Sequence, residues 1–209
     1  MTSRRRILQS ALALPLAVLA SGRAAALTLP ELKARLASAE TLSAVFTQTR
    51  TLKGIKKPLR SQGLVFLIRG KGVVWDQTSP FVQRSTVTQS RITLEIEGKK
   101  SDEVTAETNP RAFAFAGLIE GLLQGDIEAL KQFFTVTGLK ALPGDRWRLS
   151  LKPKEAPVTR IFSFVEVEGG DQVETLQFTS PAGEKTRVDF SGIVVNGEAN
   201  ETIKSRLSR

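Results

Sequence analysis

The chain has 209 residues, of which 41% are hydrophobic, and it contains neither cysteine nor histidine. These two absences exclude disulfides, thiolate and histidine metal sites, and the histidine-dependent nucleophiles of most hydrolases, so we expect a protein without a cofactor that is not an enzyme. The formal net charge is +9, but the basic residues are scattered and tyrosine is absent, which argues against nucleic-acid binding.

Residues 1–26 have the pattern of an export signal. Arg4, Arg5 and Arg6 precede an apolar run at residues 11–20, which is too short to span a bilayer, and small residues at 24–26 offer a cleavage site. The arginines fit either a Sec or a twin-arginine signal, and the sequence leaves both open. We expect residues 27–209 to form a single domain in the periplasm, with 26 basic and 21 acidic residues.

A helix and an apolar β-meander follow the signal. Leu29, Leu32 and Leu36 form the apolar stripe of a short helix over residues 29–38. Alternation then predicts antiparallel strands at residues 42–51, 61–69 and 73–76. In the second strand both faces are apolar, and we place Leu64 and Phe66 together on one of them.

Several residues of this region resemble the periplasmic outer-membrane lipoprotein carriers, the LolA-like proteins of Gram-negative bacteria. The likeness covers the order of the elements along most of the chain, and none of its motifs is catalytic. It is carried by the helix at residues 31–36, Phe46-Thr47-Gln48, Ser61-Gln62-Gly63, Arg69, Gly72-Val73-Val74-Trp75 and Pro80.

Later strands alternate apolar and polar residues. Examples are the stretches around Ile92 and Leu94, around Trp147, around Phe162 and Phe164, and around Phe190. We count about eight to ten strands, enough for a strongly curved sheet or barrel that encloses a ligand.

One nearly uncharged helix interrupts the strands. Asn109 and Pro110 are suited to its start and Gly125 to its end, and a second helical segment is predicted at residues 126–134. Such an apolar helix needs an apolar surface beneath it. It either completes a solid core or forms a movable lid over a cavity, and the residues alone leave both open.

The resemblance implies an unclosed β-barrel with a helical lid over a cavity for acyl chains. It also implies that Arg69 is a latch that hydrogen-bonds the lid, whereas by its position alone Arg69 is equally suited to point into water. The residues expected to line the cavity are large and apolar: Phe46, Leu64, Phe66, Trp75, Ile92, Leu94, Phe113, Phe115, Leu118, Leu122, Trp147, Phe162 and Phe164.

The implied function is that of a monomeric carrier that takes acylated lipoproteins from an inner-membrane release complex to an outer-membrane receptor. Two alternatives stay open, a carrier of another lipid or glycolipid and a β-rich scaffold that binds no lipid. Residues 196–209 are polar and basic, and we expect a frayed tail or a short solvent-facing helix.

Two pairs of glutamates are spaced to share a strand face. They are Glu95 with Glu97 and Glu166 with Glu168. Each pair lies opposite apolar neighbours, which is typical of solvated surface carboxylates rather than of a glycosidase dyad.

Overall fold

A computed structural model describes residues 27–36, 39–105 and 107–208, without the side chains of residues 111, 112, 114 and 115. The predicted export signal therefore lies outside the described residues. The helices are α1 (Leu29–Leu36), α2 (Pro110–Gln124), α3 (Ile127–Phe133) and α4 (Glu201–Leu207), with a 3-10 turn at Val158–Arg160. The strands are β1 (Thr41–Thr51), β2 (Leu59–Ile68), β3 (Gly72–Ser79), β4 (Gln83–Val87), β5 (Ile92–Ile96), β6 (Lys99–Val104), β7 (Phe134–Leu142), β8 (Arg146–Pro153), β9 (Phe164–Gly169), β10 (Val173–Thr179) and β11 (Lys185–Val195).

All of these strands form one antiparallel sheet in the order β6-β5-β4-β3-β2-β1-β11-β10-β9-β8-β7. The first and last strands are joined at its centre, where Phe46 of β1 lies opposite Phe190 of β11. The outermost strands, β6 and β7, are not paired with each other. The predicted fold, a mainly β chain built on an unclosed antiparallel sheet with a few helices, is therefore confirmed.

The eleven strands exceed the expected eight to ten because β6 and β7 lack clean alternation. Residues 99–103 of β6 are all polar and exposed, and only the last residue, Val104, is apolar and partly buried. An edge strand with charged side chains is a usual defence against pairing with other chains, but it gives no hydrophobic signal in the sequence. Phe134, which we expected to end a helix, instead begins β7.

A single large core covers the inner face of the sheet. It brings together Val73 of β3 and Trp147 of β8, although these strands are widely separated in the strand order. The sheet must therefore bend until its two halves face a common interior. The helix α1 contributes Leu32 and Leu36, both fully buried, to this core.

The helices α2 and α3 connect the two edge strands. The bounds of α2 agree with the predicted start and end, and Leu118, Leu122 and Leu123 are buried. Gly121 has a packing role, since an added Cβ would lie 3.2 Å from the Leu130 side chain of α3. Within the described part of the chain, no helix has the length and apolar character needed to cross a membrane.

Glu120 is the only charged side chain in the later part of α2. Burial raises the pKa of Glu120, and the hydrogen bond that Gln124 Nε2 donates to its Oε1, 2.8 Å long, opposes this rise. The carboxylate is therefore less stable in the folded chain than in the unfolded chain.

The expectation for residues 196–209 was wrong in one respect. A short helix does form, with the Asn200 side chain accepting a hydrogen bond from the backbone N–H of Ile203 at 2.9 Å. It is neither frayed nor facing solvent, because Ile203 and Leu207 are buried against Val74 on the outer face of the sheet. Two apolar residues four apart suffice for this packing.

Phe162 and Phe164 provide a matched test of which face points inward. Phe162 is completely buried and Phe164 is 38% exposed. We expect Phe162→Ala to lower the free energy of unfolding by about 3–5 kcal/mol and Phe164→Ala to lower it by under about 1 kcal/mol, as measured by urea denaturation. Equal losses would contradict the assignment of faces.

Replacing Glu120 tests the effect of its burial. Since its pKa is raised on folding, stability falls as the pH rises from the ordinary value of 4.5 to the higher folded-state value. Glu120→Gln keeps the hydrogen-bond acceptor without the charge, so it should stabilise the protein at neutral pH and give no gain at a pH below that window. The exposed Glu155→Gln is the control, and urea denaturation at both pH values is the measurement.

Candidate functional site

A cavity of about 280 Å³ lies between α2 and the inner faces of β3, β4 and β5. This volume is near the lower end of the range of small-molecule sites, roughly 300–1,000 Å³. Ala116 and Ile119 form the helical side of the cavity. The strands contribute Val73, Trp75, Val87 and Ile92, and four polar residues, Gln48, Gln77, Gln83 and Ser85.

The polar residues are gathered at one end of the cavity. Along β3 the inward residues change from the apolar Val73 and Trp75 to the polar Gln77. Along β4 they change from the apolar Val87 to the polar Ser85 and Gln83. The register places Val73 opposite Val87, Trp75 opposite Ser85 and Gln77 opposite Gln83. Both strands therefore change from apolar to polar in the same direction, through the mixed pair of Trp75 and Ser85. The cavity is thus apolar at one end and lined by side-chain amides at the other, which matches the distribution of polarity in an amphiphile.

The neighbouring strand β1 repeats this gradient. Phe46 is buried, Gln48 lines the cavity, and Arg50 follows on the same face where the strand leaves the interior. The side-chain amide of Gln48 donates a hydrogen bond to the Ser61 hydroxyl at 3.3 Å. Since the gradient appears on β1, β3 and β4, it is a property of this end of the sheet.

Trp75 forms the boundary between the cavity and the solid core. Its ring centroid is 4.1 Å from that of Phe46 and 6.1 Å from that of Phe190. These contacts hold one side of the indole in the core while the residue also lines the cavity. Any cargo in the cavity would contact an aromatic wall fixed from behind.

Only some of the residues predicted to line the cavity lie at its wall or next to it. Trp75 and Ile92 line it, Phe46 lies behind Trp75, and Leu94 shares a strand face with Ile92. Phe113 lies on α2 and is partly buried, and the side chain of Phe115 is outside the described residues. Four residues, Leu118, Leu122, Trp147 and Phe162, are buried in the packed core instead.

Three of the predicted lining residues are on the wrong face of the sheet. Leu64 is 39% exposed, and Phe66 packs in the cluster beneath α4. Val65 and Leu67 of the same strand are the inward residues, and alternation could not show this because both faces of β2 are apolar. Phe164 also points outward, since the inward residue of that region, Phe162, precedes β9.

Sequence reasoning missed the polar end of the cavity. The predicted third strand stopped at residue 76, whereas β3 continues to Ser79 and so places Gln77 two residues beyond Trp75 on the same face. Extending that strand to the turn at Pro80 would have found Gln77. No signal in the sequence pointed to Gln83 or Ser85.

Arg69 lies at the end of β2 and contacts the segment that follows α1. Its Nε donates a hydrogen bond to the Ala39 carbonyl at 2.9 Å, and its backbone N–H donates to the Glu40 carbonyl at 2.9 Å. The Glu40 carboxylate is 3.7 Å from Nε. The guanidinium is therefore engaged with the chain and does not extend freely into water.

Three of the four glutamates singled out in the sequence, Glu95, Glu166 and Glu168, are ion-paired on the outer face. Glu166 and Glu168 lie 3.7 and 2.6 Å from the guanidinium of Arg148, whose pKa is raised by the hydrogen bond to Glu168. Glu95 lies 2.6 Å from Arg206 of α4. The expectation of solvated carboxylates therefore needs correction, because these three carboxylates are held in ion pairs with arginines. Glu97 lies in a turn and so does not share a strand face with Glu95.

Two solved structures are similar in fold: a LolA superfamily protein of Nitrosomonas europaea (TM-score 0.46, 11% identity, covering 85% of this chain and 97% of that one) and a domain named for outer membrane lipoprotein sorting from Vibrio parahaemolyticus (0.47, 12%, 86% and 96%). No curated protein sequence gives a significant match.

One protein-family model matches the sequence. The family model described as "Outer membrane lipoprotein carrier protein LolA-like" matches residues 21–205, which is most of the chain. The chain therefore belongs to the LolA-like family of outer membrane lipoprotein carrier proteins.

Proposed function

We propose that this protein is a periplasmic carrier that holds the acyl chains of lipoproteins and shuttles them from the inner to the outer membrane. The observation that supports this most directly is the cavity beneath α2, which is apolar at one end and polar at the other. Membership of a family of lipoprotein carriers supports the same function. An inner-membrane release complex would load the carrier, and an outer-membrane receptor would unload it.

The cavity can supply affinity without a cofactor. Each methylene that leaves water for an apolar site gains about 0.8 kcal/mol, so a few carbons suffice for useful binding. The polarity gradient gives the cargo an orientation, with its chain towards Val73 and Ile119 and its polar group towards Gln48 and Gln77. Catalysis plays no part in this function.

The helix α2 would serve as a partly movable cover. Ala116 and Ile119 face the cavity, while Leu122 and Leu123 nearer its end are buried in the core. In this proposal the helix would combine the two roles that the sequence left open, with one part completing the core and another acting as a lid over the cavity. Outward movement of the first turns would enlarge the site for more than one acyl chain.

Arg69 would stabilise the closed state through the segment after α1. Its hydrogen bond to the Ala39 carbonyl ties the end of β2 to the connection that leads from α1 into β1. Opening that breaks this bond would make the empty, closed state competitive with the loaded state, and a reversible carrier needs this balance. In this proposal the latch holds α1 and its connection to β1, so opening would move α1 as well as α2.

A carrier of a different lipid is the second candidate. The glutamines and Arg50 at the mouth suit a hydrogen-bonding or anionic head group as well as a lipoprotein. Native mass spectrometry of the purified protein distinguishes the cargoes by mass. Recovery of the protein without any acyl-bearing species, together with no binding of an added acyl probe, would favour the scaffold alternative.

Filling the cavity tests the proposed site. Ala116→Leu adds bulk where Ala116 faces the cavity, and Gly117→Leu adds the same side chain at the adjacent, exposed position with no atom within 4 Å of its Cβ. Excluding about two methylenes of cargo should weaken binding of a fluorescent fatty acid about tenfold for Ala116→Leu. Gly117→Leu should bind as the wild type does, and equal affinities of all three proteins would refute the site.

Removing the guanidinium tests the latch. Arg69→Leu should leave the fold intact and impair transfer of the bound fatty acid to acceptor vesicles, slowing it about fivefold, because losing one hydrogen bond of about 1 kcal/mol disfavours the closed, empty state. The control is Lys71→Leu, an exposed position two residues away. Thermal unfolding verifies the fold, and unchanged transfer by the Arg69 variant would remove the latch assignment.

A further inference from the structure

Two loops emerge together at the polar end of the cavity. One joins β1 to β2 and the other joins β3 to β4, and because these four strands are consecutive antiparallel neighbours, both loops lie at the same end of the sheet. We call residues 50–60 and 80–82 the loop-end surface. Apart from Arg50, which lies at the mouth of the cavity, the carrier proposal assigns no role to these residues.

The loop-end surface carries a concentrated positive charge. The first loop and the strand ends beside it contain Arg50, Lys53, Lys56, Lys57 and Arg60, all exposed, with no acidic residue between them. Among the residues that the structure describes, none of these five cations forms an ion pair within 4.0 Å. The arginines of the outer face, such as Arg84 and Arg148, are by contrast paired with carboxylates.

The adjacent turns do not neutralise this charge. Glu97 lies in the turn after β5, where its N–H donates to the Val82 carbonyl at 3.1 Å, and Glu184 lies just before β11. Each of these acids is near a lysine in sequence, Lys99 and Lys185 respectively. The surface as a whole therefore remains strongly basic.

Large apolar side chains are exposed among these cations. Ile55, Leu59, Phe81 and Val82 are each about half exposed, and Phe81 is the most exposed at 54%. The loop that carries Phe81 is held in place, because the Gln77 side-chain amide donates to the Phe81 carbonyl at 3.1 Å. Four exposed apolar residues within two adjoining loops form a cluster, whereas an isolated exposed residue would need no explanation.

We propose that the loop-end surface docks on an anionic lipid bilayer. Basic side chains are attracted to acidic head groups, and apolar and aromatic side chains between them enter the boundary between head groups and acyl chains. A smooth acidic protein surface would satisfy the cations and leave Ile55, Phe81 and Val82 in water. The mixture of unpaired cations and apolar residues therefore favours a membrane over an acidic protein.

The loop-end surface lies next to the polar end of the cavity, so docking would affect how cargo enters and leaves. A groove lined by Arg50, Leu59 and Phe81 also includes Gln48 and Gln77, which line the polar end of the cavity. Docking would place that end of the cavity against the bilayer, so that an acyl chain could pass between them with little exposure to water. This consequence rests on the proposed carrier function, whereas the docking itself does not.

Vesicle binding tests the docking. The full chain is sedimented with vesicles of equal parts phosphatidylglycerol and phosphatidylcholine, and with vesicles of phosphatidylcholine alone. We expect binding to the anionic vesicles, weakened at least tenfold by the triple change Lys53→Gln, Lys56→Gln and Lys57→Gln and several-fold by Phe81→Ser. Weak, equal binding to both kinds of vesicle would overturn the proposal.

Matched variants separate docking from general charge. The triple change Lys71→Gln, Lys140→Gln and Lys152→Gln removes the same charge from exposed positions elsewhere and should reduce binding far less. All variants share residues 1–26, so any membrane affinity of that segment is common to them. If both triple variants lose affinity equally, or the loop variant loses none, the loop-end surface does not dock.

A fluorescence measurement reports depth as well as affinity. Phe81→Trp in the loop and Phe164→Trp on the outer face add the same fluorophore at two exposed positions, and the wild type gives the background from Trp75 and Trp147 that is subtracted from both. Brominated phosphatidylglycerol should quench the first and spare the second, and equal quenching would contradict insertion of this loop. Ala116→Leu should still dock, so a failure of the carrier function is distinguishable from a failure of docking.

Discussion

The constraint on which this structure depends is the apolar inner face of a sheet whose outer edges do not pair. The strands β6 and β7 end the sheet on either side, and the interior between them must be covered by something else. The helices α2 and α3 join these two strands in the chain and supply that cover. Because a helix packs by side-chain contacts and not by a ladder of hydrogen bonds, it can seal an interior and still be displaced.

The interior is filled unevenly, and this makes room for a ligand. On the side of β7–β10, large rings fill the space: Trp147 is fully buried, and Phe162 lies 5.9 Å from Phe134 and 5.3 Å from Phe178 between ring centroids. On the side of β3–β5 the inward residues include smaller and polar ones such as Ser85, which leave a cavity. The same sheet thus combines a densely packed half with a half that encloses a cavity.

The charged residues are paired on the outer face of the sheet but are exclusively basic in the β1–β2 loop. On the outer face, arginines and glutamates form a network that also holds α4 through Arg206 and Glu95. At the loop end the cations lie beside exposed apolar residues and next to the mouth of the cavity. Under the docking proposal, this arrangement would present the mouth of the cavity to a membrane while the ion-paired outer face stays hydrated.

Much of the fold follows from local pattern. The ends of α2 are marked by Pro110 and Gly125, and the strand around Ile92 and Leu94 shows the alternation expected of a half-buried strand. Such signals depend only on neighbouring residues, so a single sequence contains them. The general class, a curved antiparallel sheet with helices, could therefore be predicted, as could the position of Trp75 on the cavity wall.

The sequence by itself determined most of the elements, and only the tertiary structure decided which faces look inward. Phe66 and Val65 are equally apolar neighbours, and the choice between them depends on α4, which packs on the outer face from more than a hundred residues away. The polar end of the cavity likewise exists because the register sets Gln77 opposite Gln83, a pairing between strands. Alternation along a strand specifies that two faces differ, but what covers each face is a property of the assembled fold.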